Sequence, residues 1–225
     1  MTWEPRALFD VDAIRQLSTL TIGVMSVQRA TVVLGSRQRV DALDEAVLHR
    51  DGVDLRRRRG GGGAVLLRPE DCWVELWLPS SAREMDPDVR ATAYAVGEWW
   101  RSALAAVGLC ADMHSGDIEH PDEAAVACFA GLGPGELSVG GRKLLGLSQW
   151  RAREGVLASC VVPFRPPADL TKYLSALAAP TPTLRTATSL GEAAPTRTAT
   201  ELVTSFTRTV AAVHPGTGAP TATFA

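Results

Sequence analysis

The chain has 225 residues and a mass of 23.9 kDa, with 46% hydrophobic and 21% charged residues. This ordinary composition excludes fibrous, collagen-like and wholly disordered proteins, and the length suffices for one domain with a buried core. Lys and Arg number 23 against 25 Asp and Glu, so the formal charge of −2 is not that of a protein that coats nucleic acid. No apolar stretch approaches the roughly 18–20 residues that span a bilayer, so we expect no membrane partner.

The N-terminus and the cysteines both predict a cytoplasmic protein. Residues Met1–Arg6 lack the basic and apolar regions of a signal peptide. The cysteines are scattered without a C-x-x-C pair, which argues against a zinc site and against a disulfide-stapled secreted scaffold. They are Cys72, Cys110, Cys128 and Cys160, and we expect their thiols to be free.

The first half of the chain alternates strand and helix signals. The β-branched run Ala30–Leu34 predicts a buried strand, and the spacing of apolar residues over Asp41–His49 predicts a short helix. The segment Arg56–Gly63 reads RRRRGGGG and leads into the apolar stretch Ala64–Leu67. Cys72–Leu78 predicts a second strand, which Pro79 ends.

The middle of the chain predicts one long helix and then a set of strands. Val89–Leu109 carries apolar residues at three- or four-residue spacing and is the strongest helix signal. Gly140-Gly141 between two strand-like segments predicts a two-residue hairpin, in which Ser138 lies opposite Lys143. Val156–Val162 predicts a further strand.

Beyond Pro166 the composition shifts to Ala, Thr and Pro. Asp169–Ala178 predicts a short helix, and Pro180–Thr198 has the composition of a linker. Thr200–Val213 predicts a final helix with Thr200 as its N-cap.

The glycine run Gly60–Gly63 is a candidate binding loop. It matches neither a Walker A loop nor a G-x-G-x-x-G pattern, but backbone without Cβ atoms can approach a phosphate or an acyl chain closely. The preceding Arg56–Arg59 supply planar donors for anionic oxygens. A solvated charge cluster beside a flexible loop, or a nucleic-acid contact, would have the same composition.

Two further residues are candidates for chemistry. Lys143, in a predicted strand, is either an edge residue with its charge in water or a placed cation. Cys128 is by default a small buried hydrophobe, and a nucleophilic role requires a cation nearby to lower its pKa. The four histidines show no ligand spacing.

Two segments together resemble motifs of the lipoate–protein ligase and octanoyltransferase family, which shares its fold with biotin–protein ligases. The family signature R-R-x-S-G-G-G-A-V resembles residues 57–65, with Gly60 in place of the serine. The signature G-R-K-x-x-G-x-A/S-Q resembles residues 141–149. Weaker similarity over residues 32–38, 94–108 and 188–190 follows the family's order. The resemblance covers roughly residues 30–213.

The resemblance implies an α+β fold, biotin/lipoate protein ligase-like and so class II synthetase-like, with a mixed, largely antiparallel sheet flanked by helices. It implies one acyltransfer domain over residues 30–213. Residues 1–29 are expected to be a short or weakly structured N-terminal segment, and residues 214–225 a disordered tail.

The activity implied is transfer of a lipoyl or octanoyl group to a lysine of a lipoyl domain. That partner would be the lipoyl domain of a 2-oxo acid dehydrogenase or the glycine cleavage H protein, with acyl carrier protein as an acyl source. In the ligase branch of the family, ATP and Mg first give an acyl-adenylate, and Lys143 contacts the carboxyl and phosphate oxygens. The residues that carry over as binding residues are Arg58, Gly61, Gly62, Gly63, Ala64, Val65, Leu66 and Ser148.

A second branch uses no ATP and carries the stretch C-F-x-x-P…E-L-x-V-x-G-R-K. Its nucleophilic cysteine precedes the lysine by the same separation that joins Cys128 to Lys143 here, and Glu136 takes the place of the glutamate. The resemblance therefore implies Cys128 and Lys143 as catalytic residues, with an acyl thioester on Cys128 and Lys143 as the activating cation.

The chain also departs from the family pattern. Leu66-Leu67-Arg68 stands where a histidine usually follows G-A-V, and the His-Gly after the lysine motif is replaced around Ala158–Cys160. Three hypotheses are left: a Cys128-dependent acyltransferase, an ATP-dependent ligase, and a non-catalytic paralogue that binds acyl groups or lipoyl domains.

Overall fold

A computed structural model describes residues 6–7, 11–175, 184 and 187–215 of the chain. The strands are β1 Arg6–Ala7, β2 Thr21–Met25, β3 Thr31–Leu34, β4 Asp54–Arg57, β5 Val65–Leu67, β6 Cys72–Pro79, β7 Asp112–Met113, β8 Leu137–Val139, β9 Arg142–Ala152 and β10 Gly155–Val162. The helices are α1 Val11–Arg15, α2 Glu45–Arg50, α3 Val89–Ala106, α4 Pro121–Val126, α5 Leu190–Ala193 and α6 Ala199–Val213, with 3₁₀ turns at Val40–Ala42, Cys128–Ala130 and Pro167–Tyr173. The α+β class is confirmed.

The larger sheet is antiparallel and has six strands in the order β2-β6-β10-β9-β8-β7. Strand β6, which pairs with a neighbour on each side, is buried on both faces, which explains its nearly continuous apolar sequence. Alternate residues such as Val74 and Leu76 face the helices α3 and α6, where Trp100 stacks on Phe206 with 4.1 Å between ring centroids. This helix-covered face forms the first hydrophobic core.

The smaller sheet has the order β1-β4-β3-β5, with β1, β4 and β3 parallel and β5 antiparallel to β3. Its apolar side chains pack with Trp73 and Val161, which project from the other face of the larger sheet. A second hydrophobic core therefore fills the space between the two sheets. The expected mixed, largely antiparallel sheet structure flanked by helices is confirmed, and the strands of the two motifs belong to two different sheets.

The hairpin between β8 and β9 has the predicted form. Gly140 and Gly141 have φ angles of 56° and 72°, as a type I′ turn requires. Ser138 pairs with Lys143 in the register expected from the sequence. As a result the Lys143 side chain points inward, and only 4% of its surface is exposed.

Several element boundaries differ from the sequence prediction. The final helix begins at Ala199 with Thr198 as N-cap, because Thr198 and Glu201 form a reciprocal capping box that Thr200 cannot form. In place of one helix over 41–49, the chain forms a 3₁₀ turn and then α2, whose N-cap Asp44 accepts a hydrogen bond from Val47 N. The helix predicted over 169–178 is a 3₁₀ turn at 167–173, and residues 176–178 lie outside the described residues.

The sheet begins before residue 30. Strand β2, which the sequence analysis assigned to a weakly structured N-terminal segment, pairs along its length with β6. Of the predicted linker, 180–183, 185 and 186 are not described, while α5 follows with Ser189 as N-cap. Of the predicted disordered tail, residues 216–225 lie outside the described residues. None of the helices that the structure describes combines the length and apolarity needed to cross a membrane.

Candidate functional site

A cavity of about 530 Å³ opens between the glycine run and the β8–β9 hairpin, so the two sequence motifs meet in space. The loop before α4, the 3₁₀ turn at 128–130 and the start of α3 complete its walls. Its lining residues are Arg37, Arg58, Gly61, Gly62, Gly63, Val89, Arg90, Ala93, Ile118, Ala124, Cys128, Gly131, Gly133, Pro134, Glu136, Lys143, Leu147, Ser148 and Gln149.

Arg58 holds the glycine run in place from within the protein. Its guanidinium donates hydrogen bonds to the carbonyl oxygens of Gly61 at 2.7 Å, Gly63 at 2.8 Å and Val33 at 3.2 Å. Gly62 adopts a φ of 88°, which favours glycine, and a Cβ on Gly61 would meet open space. The loop therefore presents bare backbone to the cavity.

Gly63 permits a close approach of the loop to the cysteine segment. A Cβ at this position would lie 2.5 Å from both the Ala124 carbonyl oxygen and the Ala127 nitrogen. The approach allows Ala64 N to donate to Val126 O and Cys128 N to donate to Ala64 O, each at 2.9 Å. The first motif thus fixes the backbone of Cys128 directly.

Lys143 is buried and fully hydrogen-bonded. Its ammonium donates to the carbonyl oxygens of Cys128 at 2.7 Å and Gly131 at 2.8 Å, and to Glu136 Oε2 at 2.6 Å. Glu136 in turn accepts hydrogen bonds from the backbone nitrogens of Gly133 and Leu147. Because three acceptors use the three N–H bonds of an ammonium group, this buried pair fixes the loop that carries Cys128.

Cys128 lies where the open cavity continues into a narrower one. The thiol is free and partly exposed, and its Sγ lies 3.1 Å from the point that a Cβ on Gly146 would occupy. Any larger residue at 146 would therefore crowd the sulfur. The inner cavity, about 20 Å³, is lined by Val33, Arg58, Val65, Leu67, Trp73, Glu75, Cys128, Gly146, Leu147, Ser148, Ser159 and Val161.

The inner cavity contains a buried carboxyl group. Glu75 accepts hydrogen bonds from Trp73 Nε1 at 2.8 Å and Ser159 Oγ at 2.6 Å. Burial raises the pKa of Glu75 to about 7, although these hydrogen bonds and the charge of Arg58 oppose the shift. Burial lowers the pKa of Arg58, while Cys128, Glu75 and Glu136 act in the opposite direction. Arg58 is thus a buried cation that borders both cavities together with Cys128.

Besides Arg58, two arginines line the outer cavity. Arg90, in the first turn of α3, forms an ion pair with Asp117. Arg37 is exposed in the loop after β3, where its charge is available to an anion in the cavity.

The structure brings most of the sequence-predicted site residues together. Arg58, Gly61, Gly62, Gly63, Cys128, Lys143 and Ser148 line the outer cavity, and Val65 lines the inner one. Ala64 and Leu66 line neither cavity: Ala64 contributes its backbone to the bridge with the cysteine segment, and Leu66 alternates to the other face of β5.

Sequence reasoning missed the inner polar group and the role of Glu136. Glu75 is the one acidic residue in the otherwise apolar β6, and that exception to the pattern was a usable signal. Ser159 and Arg37 gave no comparable signal, because each stands in a segment without a distinctive pattern.

Comparison with known proteins agrees with the fold and the motifs. The family model for the lipoyl protein ligase A/B catalytic domain matches residues 11–211. A search of curated proteins finds no match.

Solved structures of lipoate–protein ligases share the fold at low sequence identity. A lipoate-protein ligase A bound with ATP has a TM-score of 0.75 and 16% identity, covering 99% of this chain and 90% of its own. A bi-partite lipoate protein ligase from Thermoplasma acidophilum, described with its E2 lipoyl domain, has a TM-score of 0.73 and 15% identity. The match covers 97% of this chain and 81% of the ligase chain. P. falciparum LipL1 in complex with lipoate has a TM-score of 0.65 and 12% identity, and the match covers 95% of this chain and 57% of LipL1.

Proposed function

The chain belongs to the lipoyl protein ligase A/B catalytic domain family, and on that premise we propose that it transfers a lipoyl or octanoyl group to a lipoyl-domain lysine through a thioester on Cys128. The observation that carries the proposal is the position of Cys128. The thiol lines the open cavity of about 530 Å³, which has room for a medium-length acyl group, and it also borders the small inner cavity. An acyl chain bound in the open cavity would place its carboxyl carbon beside the sulfur.

In the first step, the Cys128 sulfur attacks the carbonyl carbon of an acyl thioester on a donor such as acyl carrier protein. A carbon–sulfur bond to Cys128 forms, the bond to the donor sulfur breaks, and the cysteine proton leaves with the donor thiol. Arg58 lines the same cavities as Cys128, so its guanidinium supplies positive charge on the side of the reacting groups.

In the second step, the neutral amine of the target lysine attacks the Cys128 thioester. An amide bond forms, the carbon–sulfur bond breaks, and the cysteine sulfur recovers a proton from the amine. The Lys143–Glu136 pair keeps Cys128 at the wall of the open cavity throughout, since Lys143 donates to the Cys128 and Gly131 carbonyls. In this proposal Lys143 positions the Cys128 loop, and Arg58 supplies further positive charge in the same cavity.

The acceptor proposed is a lipoyl domain. The Thermoplasma acidophilum ligase with the same fold is described together with its E2 lipoyl domain. The cavity is open to the surface beside the Cys128 sulfur, so a lysine projecting from a partner domain can reach the thioester. A lipoyl-domain lysine fits this geometry because its long unbranched side chain needs only a narrow opening.

An ATP-dependent ligase is the second candidate, and Arg37 favours it. Its exposed guanidinium and the bare backbone of Gly61 and Gly62 form a donor set that fits the phosphates of a nucleotide. Bound ATP would supply an activated carboxyl group. Among the described residues no three His, Cys, Asp or Glu side chains are grouped to hold a metal ion, so Mg would be held through the phosphates.

The experiment is intact-protein mass spectrometry after incubation with octanoyl-acyl carrier protein, without ATP. We expect the wild type to gain the mass of one octanoyl group at Cys128 and to pass it to a lipoyl domain, and Cys128→Ser to do neither. Cys110→Ser is the matched control, because Cys110 is an exposed free thiol away from the cavity. Transfer that requires ATP and survives Cys128→Ser would contradict the thioester route and support the ligase. Acyl binding without any transfer would support the non-catalytic paralogue.

A further inference from the structure

The inner cavity beside Cys128 has room for a single water molecule. Its volume is about 20 Å³, and a cavity needs roughly 10–15 Å³ of such space to hold one water. A bound water also needs about two to four polar partners. The polar side chains that line this cavity include those of Arg58, Glu75, Cys128, Ser148 and Ser159. In size and in chemistry, the cavity therefore fits one hydrogen-bonded water between the thiol and the buried carboxyl group.

The register of the larger sheet sets the separation of these two groups. Ser159 pairs with Glu75 on one side, while Gly146 pairs with Val161, two residues further along the strand of Ser159. Diagonal neighbours on adjacent strands, such as Gly146 and Ser159, lie about 7–8 Å apart. The Cys128 Sγ lies 3.1 Å from the point that a Cβ on Gly146 would occupy, and Glu75 Oε2 accepts from Ser159 Oγ at 2.6 Å. The sulfur and the carboxyl group thus border the gap from opposite ends, and one water can bridge it.

Glu75 has the acceptor capacity that proton transfer through a water requires. Each carboxyl oxygen accepts one hydrogen bond from a neutral donor, Trp73 or Ser159, and so retains a second acceptor site. Burial raises the pKa of Glu75 to about 7, which suits a general base at neutral pH. The titratable groups that face it across the cavity are Arg58, just after β4, and Cys128, whereas the lining side chains of β3, β5, β9 and β10 carry no charge.

The other ionisable groups around Cys128 are not available to take its proton. The Lys143 ammonium uses its three N–H bonds as donors and has no lone pair. Glu136 accepts hydrogen bonds from that ammonium and from two backbone nitrogens, and a guanidinium such as that of Arg58 only donates. Among the described residues that line the two cavities, Glu75 is therefore the carboxylate without a cationic hydrogen-bond donor.

We propose that Glu75 is the general base for Cys128 and receives the thiol proton through one water bound in the inner cavity. This inference rests on the proposed function, because it concerns the first step of the thioester route. As the Cys128 sulfur attacks the donor thioester, its proton passes to the water, and a proton of the water passes to Glu75. Glu75 releases this proton to the donor sulfur as the bond between that sulfur and the carbonyl carbon breaks. The donor then leaves as a thiol, and Glu75 is ionised again.

Transfer to Glu75 also limits the negative charge in the buried site. If the thiol lost its proton to solvent, a thiolate and a carboxylate would border the same small cavity, and such like charges oppose each other's ionisation. If the proton moves to Glu75, one negative charge is present before and after the transfer. The sulfur therefore becomes nucleophilic without an added buried charge.

The test measures the rate at which Cys128 of the full-length chain is acylated by octanoyl-acyl carrier protein, without ATP or an acceptor. Intact-protein mass spectrometry follows the reaction between about pH 6 and pH 9, a range that brackets the ionisation of Glu75. The variant is Glu75→Gln, which keeps the shape of the side chain but cannot take a proton. Asp71→Asn is the matched control, a buried carboxyl just before β6 that lines neither cavity.

We expect the wild-type rate to rise with pH through about 7 and then to level, as Glu75 ionises. Glu75→Gln should be acylated about 100-fold more slowly than the wild type at neutral pH. Its rate should continue to rise in the alkaline range, where thiols ionise in water without a base, so the ratio of the two rates should shrink about tenfold by pH 9. Asp71→Asn should follow the wild type at every pH.

Equal rates for Glu75→Gln and the wild type at neutral pH overturn the inference and leave the proposed function intact. A loss of the same size at every pH also overturns it, because that result assigns Glu75 only a part in holding Trp73 and Ser159. A wild type that is not acylated at Cys128 overturns both the inference and the proposed function. Where Glu75→Gln does not fold, the wild-type profile decides, and a rate that does not follow an ionisation at about pH 7 overturns the inference.

Discussion

Lys143 and Glu136 form a charged pair almost fully removed from water, with exposed side-chain fractions of 4% and 8%. A buried pair of this kind adds little net stability compared with apolar residues, but loss of one partner leaves a buried charge unbalanced. The other two Lys143 hydrogen bonds go to backbone carbonyls on both sides of the 3₁₀ turn that carries the thiol. The pair is therefore suited to fixing one loop conformation.

Replacement of Lys143, alone and together with Glu136, should distinguish the effect of the buried ion pair on stability from its effect on acyl transfer. We expect Lys143→Met to lower the unfolding free energy by about 3–5 kcal/mol, because Glu136 is left buried without its partner. The double variant Lys143→Met with Glu136→Gln should recover much of this loss while acyl transfer stays impaired, since the Cys128 carbonyl loses its donor. Urea unfolding and the transfer assay measure the two effects. A Lys143→Met protein as stable as the wild type would contradict the buried-pair account.

The buried carboxyl group of Glu75 makes the unfolding free energy depend on pH. Burial raises the pKa of Glu75 from its ordinary 4.5 to about 7, so between these values the folded protein retains a proton that the unfolded chain has lost. The unfolding free energy therefore falls as pH rises through this window, by about 3 kcal/mol at most, and levels off above it. Asp71 adds a fall at lower pH, since burial raises its pKa to about 6.

We expect Glu75→Gln to flatten the upper part of this curve and to be more stable than the wild type above neutral pH. The amide cannot ionise, yet it can still accept from Trp73 and donate to Ser159. Denaturant unfolding of both proteins between about pH 5 and pH 8 tests this prediction. Parallel curves for the two proteins would show that Glu75 does not titrate in this range.

At the scale of elements, the glycine run offers a matched pair of positions. At Gly63 an added Cβ would meet backbone atoms at 2.5 Å, whereas at Gly61 it would meet nothing within 4 Å. We expect Gly63→Ala to displace the loop from the cysteine segment, with a loss of roughly 2–4 kcal/mol in unfolding free energy and slower reaction of Cys128. Gly61→Ala should unfold like the wild type. Thermal unfolding and the rate of thiol labelling test both variants, and equal destabilisation by the two would refute the close-approach argument.

Helices and strands could be predicted from the sequence where residues within the segment determine them, and not where pairing with a distant strand does. The β8–β9 hairpin and α3 were predicted because a Gly-Gly turn and a helical apolar period are properties of the segment itself. Strand β2 was missed because it is short, carries Gly23 at its centre and gains its stability from pairing with β6. The final helix was shifted because Thr198 and Thr200 are both plausible caps in the sequence, and only Thr198 has Glu201 three residues later.

Site residues that belong to a sequence motif could be predicted, whereas contacts between residues distant in the sequence could not. The two motifs placed Arg58, the glycines and Lys143 correctly in one cavity. The acceptors of the Lys143 hydrogen bonds are carbonyls and a carboxylate distributed over residues 128–136, so no local pattern could reveal them. Glu75 reaches the inner cavity only because β6 turns that side chain toward the smaller sheet.

At the scale of the whole molecule, the larger sheet separates two hydrophobic cores. Its helix-facing side is packed by Trp100 and Phe206, whereas its other side faces the smaller sheet and borders the inner cavity. Cys128 packs against the second of these cores and also lines the open cavity, so the proposed site adjoins the core between the sheets and not the helix-covered one.

The backbone bridge between Ala64 and the segment Val126–Cys128 has a mechanical consequence. A ligand that drew the glycine loop inward would also move Cys128, the proposed nucleophile. Backbone hydrogen bonds connect Ala64, at the end of the loop, directly to the cysteine segment, without an intervening side chain. Binding of a ligand against the glycine loop and positioning of the Cys128 sulfur would then occur in one movement. In the unliganded protein, a shift of the glycine loop would likewise shift Cys128.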